Sequence, residues 1–374
     1  MSSPRAFTVS TRVVSGIGAL DQLQNELNRL NATRVALVAD RGIHDVGLLQ
    51  NIVAAIDAES IVAECLVDAD PGLQVIEDIA EIAIAQRCDV VLAVGGGSAL
   101  AVGKALAIRV TNSGPIERYE GATAVPVAPI PTIAVPTTAG SGSEVSKVLI
   151  LHQEGRDVDV ALRVEGSEPR TAILDGTVLR SLPRNAMLFA GLDALSHSME
   201  SLWAKRASLF TRSLAVSAGQ QILDLLPLAL DGVASGANAS GNNDAVLQDL
   251  LDASAAANMA CGNSGMGLVH ALAAAPSIRI PHGLRNGIVL PYVADFNSTV
   301  MSADAKRLAG QLEGFYQRIA FTPLFAADAV GEEGMDAMLT ATHGHPFRSN
   351  NLRESTDDDL RDILRLAGAG ATSL

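Results

Sequence analysis

The chain has 374 residues, of which 48% are apolar, 18% charged and only 3% aromatic. That length exceeds what one hydrophobic core serves, so two domains filled mainly by aliphatic side chains are expected. A formal charge of −14 argues against DNA, RNA or an anionic membrane as a partner.

The opening MSSPRAFTVS lacks the basic-then-apolar pattern of a secretory signal. No uncharged apolar run reaches the roughly 18 residues expected of a membrane span. Cys65, Cys88 and Cys261 lie too far apart for a disulfide frame or a zinc knuckle. These features predict a soluble, cytoplasmic protein.

Along the first half, short β-branched runs alternate with helical periodicity. RVALVAD (34–40) reads as a strand, VGLLQNIVAAIDA (46–58) as a helix and SIVAECLVD (60–68) as a strand. LQVIEDIAEIAIAQR (73–87) is amphipathic, CDVVLAV (88–94) runs into a glycine turn and a further helix, and TIAVPTT (132–138) is another strand. Such alternation predicts a mostly parallel sheet covered on both faces. After the SLPRN segment (181–185), helical spacing follows helical spacing without clear strands. The expectation is an α/β nucleotide-binding domain over 1–182 and an all-helical domain over 183–374. The last helix opens with a capping-box arrangement from Thr356 to Asp359.

LAVGGGSALAVGKALA (93–108) puts Gly95, Gly96, Gly97 and Ser98 between a strand and a helix. Glycines there let backbone N–H groups approach an anion, and the helix N-terminus adds its dipole. The turn is not GxGxxG and suits tight packing equally well. PTTAGSGSEVSK (136–147) adds Thr137, Thr138, Ser141 and Ser143 as polar groups for a ligand near that turn. Asp40 ends its strand where a carboxylate bonds a ribose hydroxyl and repels a 2′-phosphate, which favours NAD over NADP.

In the helical half, Asp193 and His197 are spaced i, i+4 and share a helix face. His270 lies on an apolar helix and His282 follows a proline. Three imidazoles and a carboxylate suit a divalent first-row metal. Taken singly, each histidine suits a packed core or loop position as well as a ligand.

These motifs together resemble the iron-containing (group III) alcohol dehydrogenase family over nearly the whole chain. The likeness runs through SGIGAL, GGGSxxxxxKA, PTTAGSGSE, AILDG, SLPRNAMLFAGLDALSHSMES, GLVHAL and PHGLRNGIVLPYV, in the family's order. It implies a dehydroquinate synthase-like architecture, with Asp193, His197, His270 and His282 as metal ligands. Fe²⁺ is the ion the family name favours, and Zn²⁺ suits the same donors. Gly96, Gly97 and Ser98 correspond to the pyrophosphate turn, Thr137 and Thr138 to the cofactor lining, and Asp40 to the NAD-selecting acid. The implied reaction interconverts an alcohol and its aldehyde or ketone. The metal acts as Lewis acid on the substrate oxygen, and hydride passes between that oxygen's carbon and the nicotinamide. A small-molecule substrate and a homo-oligomer, a dimer or larger, are implied with it.

The chain departs from the family in four places. Ala101 replaces an aspartate of the glycine-turn motif, and Ala274 stands where many members carry a second histidine. A cofactor-reaching lysine before AILD is absent, leaving Arg156 or Arg163 as substitutes, and the gap from His270 to His282 is short. Arg285, or Arg279, is a candidate partner for an anionic substrate group, although a surface arginine is the plainer reading. A maleylacetate reductase-like enzyme acting on an unsaturated oxo-acid is the nearest alternative, and Asp193 with a single His270 favours the metal-dependent branch over it.

Overall fold

β-Branched and aliphatic runs form strands where both faces of a sheet are to be covered. In the computed structural model, which describes residues 4–68, 71–153, 160–275, 277–326 and 329–370, eight such runs are strands. They are β1 (Arg12–Ser15), β2 (Val35–Asp40), β3 (Ile61–Val67), β4 (Val90–Gly95), β5 (Thr132–Pro136), β6 (Val148–Leu151), β7 (Val160–Arg163) and β8 (Thr171–Leu174). Six pair in parallel, in the order β1-β8-β5-β4-β2-β3, while β6 and β7 form a separate antiparallel pair. The helices of this part are α1 (Leu23–Arg29), α2 (Arg41–Asp45), α3 (Leu48–Val53), α4 (Gln74–Ala85) and α5 (Gly97–Thr111).

The strand order determines where a ligand can sit. The chain runs outward from β2 to β3, then returns to place β4 on the other side of β2. Crossovers diverge at that point and leave a crevice at the carboxyl ends of β2 and β4, the usual ligand position of such sheets. Asp40 ends β2, Gly95 ends β4 and pairs with Pro136 of β5, and Thr137 follows immediately. All three candidate cofactor segments therefore lie at the carboxyl ends of three adjacent strands, β5, β4 and β2.

The remaining helices are α6 (Arg184–Leu202), α7 (Leu209–Ser235), α8 (Asp244–Ser264), α9 (Leu268–Leu272), α10 (His282–Asn297), α11 (Ala303–Ala309), α12 (Leu312–Arg318), α13 (Glu332–Ala341), α14 (Pro346–Asn350) and α15 (Asp357–Leu366). The capping box at Thr356 and Asp359 opens α15. Among the described residues only α7 is long and apolar enough to cross a bilayer by length and composition, which the count of uncharged runs did not anticipate. Half of its apolar window is buried within the fold, and α7 packs along α6.

The chain divides into two compact units. One is Val9–Leu182 with Ala237–Asp252; the other is Pro183–Gly236 with Ala253 onward and the described residues before Val9. The expected assignment of all of 183–374 to the helical domain therefore needs amending for Ala237–Asp252. Gln248 explains why. Its amide accepts from Gly176 N at 2.7 Å and donates to Leu174 O at 3.1 Å and Ser15 Oγ at 3.0 Å. The first bond satisfies the N–H of Gly176 just beyond β8, which cannot be left unpaired away from water, and the second adds to the Leu174 carbonyl that also accepts from Gly16 N at 3.0 Å. The expected helix over 46–58 is shorter in the structure, Leu48–Val53, with Gly47 at φ 78° setting its start.

Candidate metal centre

Nearly every residue of α6 from Met187 onward is buried. A helix without a wet face must satisfy its polar side chains internally. Ser196 Oγ donates to Leu192 O at 2.8 Å and Ser201 Oγ to His197 O at 2.7 Å, which accounts for these two serines. Ser198 Oγ donates to Ala215 O at 2.6 Å, so Asp193, His197 and Glu200 remain, and their spacing puts all three on one face.

Helix α10 approaches that face at backbone distance. A Cβ on Gly283 would lie 2.1 Å from Phe189 O, and one on Gly287 would lie 2.6 Å from Leu192 Cδ1. Only glycine permits such a crossing. It carries His282 and Asn286 to Asp193: His282 Nε2 lies 3.8 Å from Asp193 Oδ1, and Asn286 Nδ2 donates to that oxygen at 2.7 Å.

The third contribution comes from α9. Glu200, fully buried, accepts from Val269 N at 2.7 Å and holds His270 Nδ1 at 2.6 Å. With Nδ1 committed to a carboxylate, His270 turns Nε2 to the cluster, 3.6 Å from Asp193 Oδ1. His197 Nε2 lies 3.9 Å from the same oxygen. Donor atoms of Asp193, His197 and His270 all lie within 4.8 Å of one another. The rings of His197 and His270 stack at 4.7 Å, and Phe347 meets His270 edge-on at 6.4 Å.

Electrostatics in the metal-free cluster follow from this crowding. Burial opposes ionisation of Asp193, but the charge of His197, the hydrogen bond with His270 and the charge of His282 hold its carboxyl well below the usual range. Burial also opposes charge on His270, yet bonds to Asp193 and Glu200 raise its pKa to about 9. His282 moves down, through desolvation and then the neighbouring charges of His270, Arg285 and His197.

The four residues fit a divalent cation. They offer three ring nitrogens and one carboxylate oxygen around one point, His270 is oriented by an outer carboxylate in the manner of metal-bound histidines, and the side chain of His282 is 47% accessible, leaving an open side. Arg285 is buried and donates from Nη1 to Ala275 O at 2.6 Å, so at least part of its guanidinium anchors the segment between α9 and α10. Arg279 is exposed in that segment.

In the sheet-containing unit, the glycine turn has the shape of a cradle. Gly95 adopts φ 148°, and a Cβ there would meet Asp40 Cβ at 2.8 Å. A Cβ on Gly97 would meet Ser141 Oγ at 3.0 Å, and one on Gly96 would lie 3.6 Å from Thr138. Gly96 caps α5 without a side-chain hydrogen bond, so the first N–H groups of this 15-residue helix are presented by bare backbone. Asp40 sits beside the turn, one oxygen accepting from Gly42 N at 2.7 Å. Ser143 and Thr137 are buried. Arg163 ends β7, while Arg156 lies outside the described residues.

Sequence reading passed over Glu200, Asn286 and Phe347. Glu200 follows His197 by three residues and Asn286 follows His282 by four, so helical spacing carried the signal for both. Phe347 belongs to HGHPF, which leads into the five-residue helix α14, too short to show such periodicity.

Residues 10–176 match the family "Iron-containing alcohol dehydrogenase", and residues 187–367 match "Fe-containing alcohol dehydrogenase family, C-terminal". The probable alcohol dehydrogenase EutG of Salmonella typhimurium is 34% identical over 304 residues, covering 79% of this chain and 74% of that protein. A sulfoacetaldehyde reductase of Bilophila wadsworthia is 31% identical over 300 residues, covering 78% and 74%. The crystal structure of sulfoacetaldehyde reductase from Bifidobacterium kashiwanohense in complex with NAD+ superposes with a TM-score of 0.88 at 25% identity, over 100% of both chains. A parallel-sheet unit with that glycine turn, a helical unit with those four donors and matches over both halves lead to one conclusion: the chain belongs to the iron-containing alcohol dehydrogenase family.

Proposed function

We propose that the protein is a metal-dependent, NAD(H)-linked oxidoreductase that interconverts a small alcohol and its aldehyde or ketone. The observation that carries this reading is the convergence of Asp193, His197, His270 and His282 on one point. A divalent cation held there would supply Lewis-acid polarisation of a carbonyl or hydroxyl oxygen. Fe²⁺ is favoured by family membership, and the same donors accept Zn²⁺.

The chain's own residues have separate tasks. Glu200 fixes the His270 tautomer and ring plane. The Gly95–Ser98 turn and the start of α5 receive a pyrophosphate, with Thr137, Thr138, Ser141 and Ser143 lining the cofactor. Asp40 accepts from ribose hydroxyls and repels a 2′-phosphate, which favours NAD over NADP.

A second reading concerns the substrate's charge. Two of the similar proteins are named sulfoacetaldehyde reductases. In this chain the buried Arg285 lies near enough to His282 to depress its pKa. An anionic carbonyl substrate, a sulfonate, carboxylate or unsaturated oxo-acid, would benefit from that field.

The test is metal analysis of the purified protein, followed by stripping and reloading with Fe²⁺ or Zn²⁺. NADH and NADPH oxidation is then followed against neutral aldehydes and anionic oxo compounds. Turnover that survives complete metal removal, or its absence from reloaded protein across the whole panel, would sink the proposal. Equal kcat/KM for matched neutral and anionic aldehydes would remove the second reading alone.

A further inference from the structure

Asn286 occupies the middle of the donor cluster. Its Nδ2 lies 2.7 Å from Asp193 Oδ1, 3.1 Å from His270 Nε2 and 3.1 Å from His282 Nε2. An amide nitrogen carries two hydrogens, so it cannot satisfy all three neighbours at once. The residue is fully buried, and its Oδ1 has no hydrogen-bond partner among the described residues. A buried amide carbonyl without a donor is costly, and native folds rarely keep one without purpose.

Exchanging the two ends of the amide does not cure this in the absence of metal. Oδ1 would then face the carboxylate oxygen of Asp193 at the distance now spanned by a hydrogen bond. Both orientations leave one bad contact as long as no cation lies among these side chains. A cation changes the balance: Asp193, His270 and His282 then direct their lone pairs to it and no longer need the amide hydrogens. Rotation about the terminal torsion of asparagine is soft, and its O and N are nearly equal in size, so the exchange needs no backbone movement.

We propose that Asn286 is a further metal-facing group, whose amide turns Nδ2 to the acceptors in the metal-free protein and Oδ1 to the cation once it enters. The inference rests on the metal reading of the four neighbouring residues. In the metal-free state the amide acts as a neutral placeholder for the ion. In the loaded state its carbonyl adds an uncharged oxygen to the donor set or to a water held there.

The two roles give opposite signs on truncation. If the amide only occupied the ion's place, removing it would leave metal affinity unchanged or raise it. If its oxygen faces the ion, removal weakens binding. The experiment titrates metal-stripped full-length protein with Zn²⁺ in competition with a chromophoric chelator, for wild type, Asn286→Leu and Asn286→Asp. Leucine keeps the volume without polar atoms, and aspartate keeps an oxygen and loses the amide hydrogens.

Asn286→Leu is expected to bind Zn²⁺ about 10–100-fold more weakly, the usual range for lost groups around a metal. Asn286→Asp is expected to bind at least as tightly as wild type, while its metal-free form melts at a lower temperature. Wild-type affinity in Asn286→Leu, or affinity in Asn286→Asp reduced as far as in leucine, overturns the inference. If Asn286→Leu does not fold, the aspartate variant decides alone, by the same criterion. A wild type that binds no Zn²⁺ or Fe²⁺ defeats the metal reading itself, a result distinct from a tight-binding wild type matched by the leucine variant.

Discussion

The phenol of Tyr316 donates to the carbonyl of Gly287 at 2.8 Å, and that carbonyl is the one Pro291 leaves without a helical donor. Proline has no N–H to offer the residue four positions earlier. The same arrangement recurs in α7, where Pro227 frees Leu223 O and Arg318 Nη2 donates to it at 2.9 Å. Both repairs come from the single short helix α12. Tyr316→Phe is therefore expected to cost about 1–3 kcal/mol, the penalty of a buried acceptor left unmet. In a Pro291→Ala background residue 291 regains its N–H, and the same change should cost much less. Urea unfolding of the four proteins of this cycle checks the prediction, and equal costs in both backgrounds would reject it.

Glu200 acts on the metal through His270. Replacing it with glutamine keeps an acceptor for Nδ1 but removes the negative charge that makes Nε2 a better donor. Glu200→Gln should lower metal affinity by about 10–100-fold with secondary structure intact. Chelator competition together with circular dichroism measures both quantities.

Gly283 allows α10 to lie against α6. Gly283→Ala places a methyl 2.1 Å from Phe189 O and 3.2 Å from Asp193 Cβ, so the helices must separate. A loss of about 3 kcal/mol or more is expected, the upper end of overpacking costs, and metal content after purification should fall with it. Gly262 in α8 has nothing within 4 Å of its missing Cβ. Gly262→Ala should instead stabilise by about 0.5–1 kcal/mol through helix propensity. Two Gly→Ala changes of like sign would refute the packing argument.

Two buried ionisable groups near the cofactor turn give stability a pH dependence. Lys104 donates to Ser143 O, Ser146 O and Val148 O at 3.0, 3.0 and 2.6 Å. Burial raises the Glu144 pKa from 4.5 to about 7 and lowers that of Lys104 from 10.5 to about 7, each against the pull of the other. Between pH 4.5 and 7 the unfolded carboxyl has lost its proton while the folded one keeps it, so stability falls as pH rises. Between pH 7 and 10.5 the unfolded amine holds the extra proton, so stability rises. Glu144→Gln should flatten the acid limb, while the alkaline limb persists and deepens because the charge that holds the Lys104 pKa up is gone. Denaturant midpoints at three pH values read this directly, and an unchanged acid limb would exclude Glu144 as its source.

Residues on one helical turn were legible in the sequence, and residues joined across the fold were not. Asp193 and His197 stand out by spacing alone, whereas the task of Glu200 depends on His270, 70 residues away. Strands β1 and β8 are four residues each, too short for a periodic pattern, and become strands by pairing with each other across the chain. Arg285 looked like a surface charge or a substrate partner, because nothing local reveals that Ala275 O lies within its reach. The candidate cofactor segments were individually visible, but their meeting at the carboxyl ends of adjacent strands follows from strand order, which spacing does not encode.

The placement of Ala237–Asp252 bears on how the polypeptide emerges from a ribosome. Translation delivers the sheet first, then α6 and α7, and only afterwards Gln248, the side chain that accepts from Gly176 N. The leading half of a nascent chain therefore waits for the partner of Gly176 N, just beyond β8, until more than fifty later residues have been made. Vectorial synthesis cannot finish this protein one unit at a time, and a message truncated after codon 236 would yield a sheet lacking its final strut.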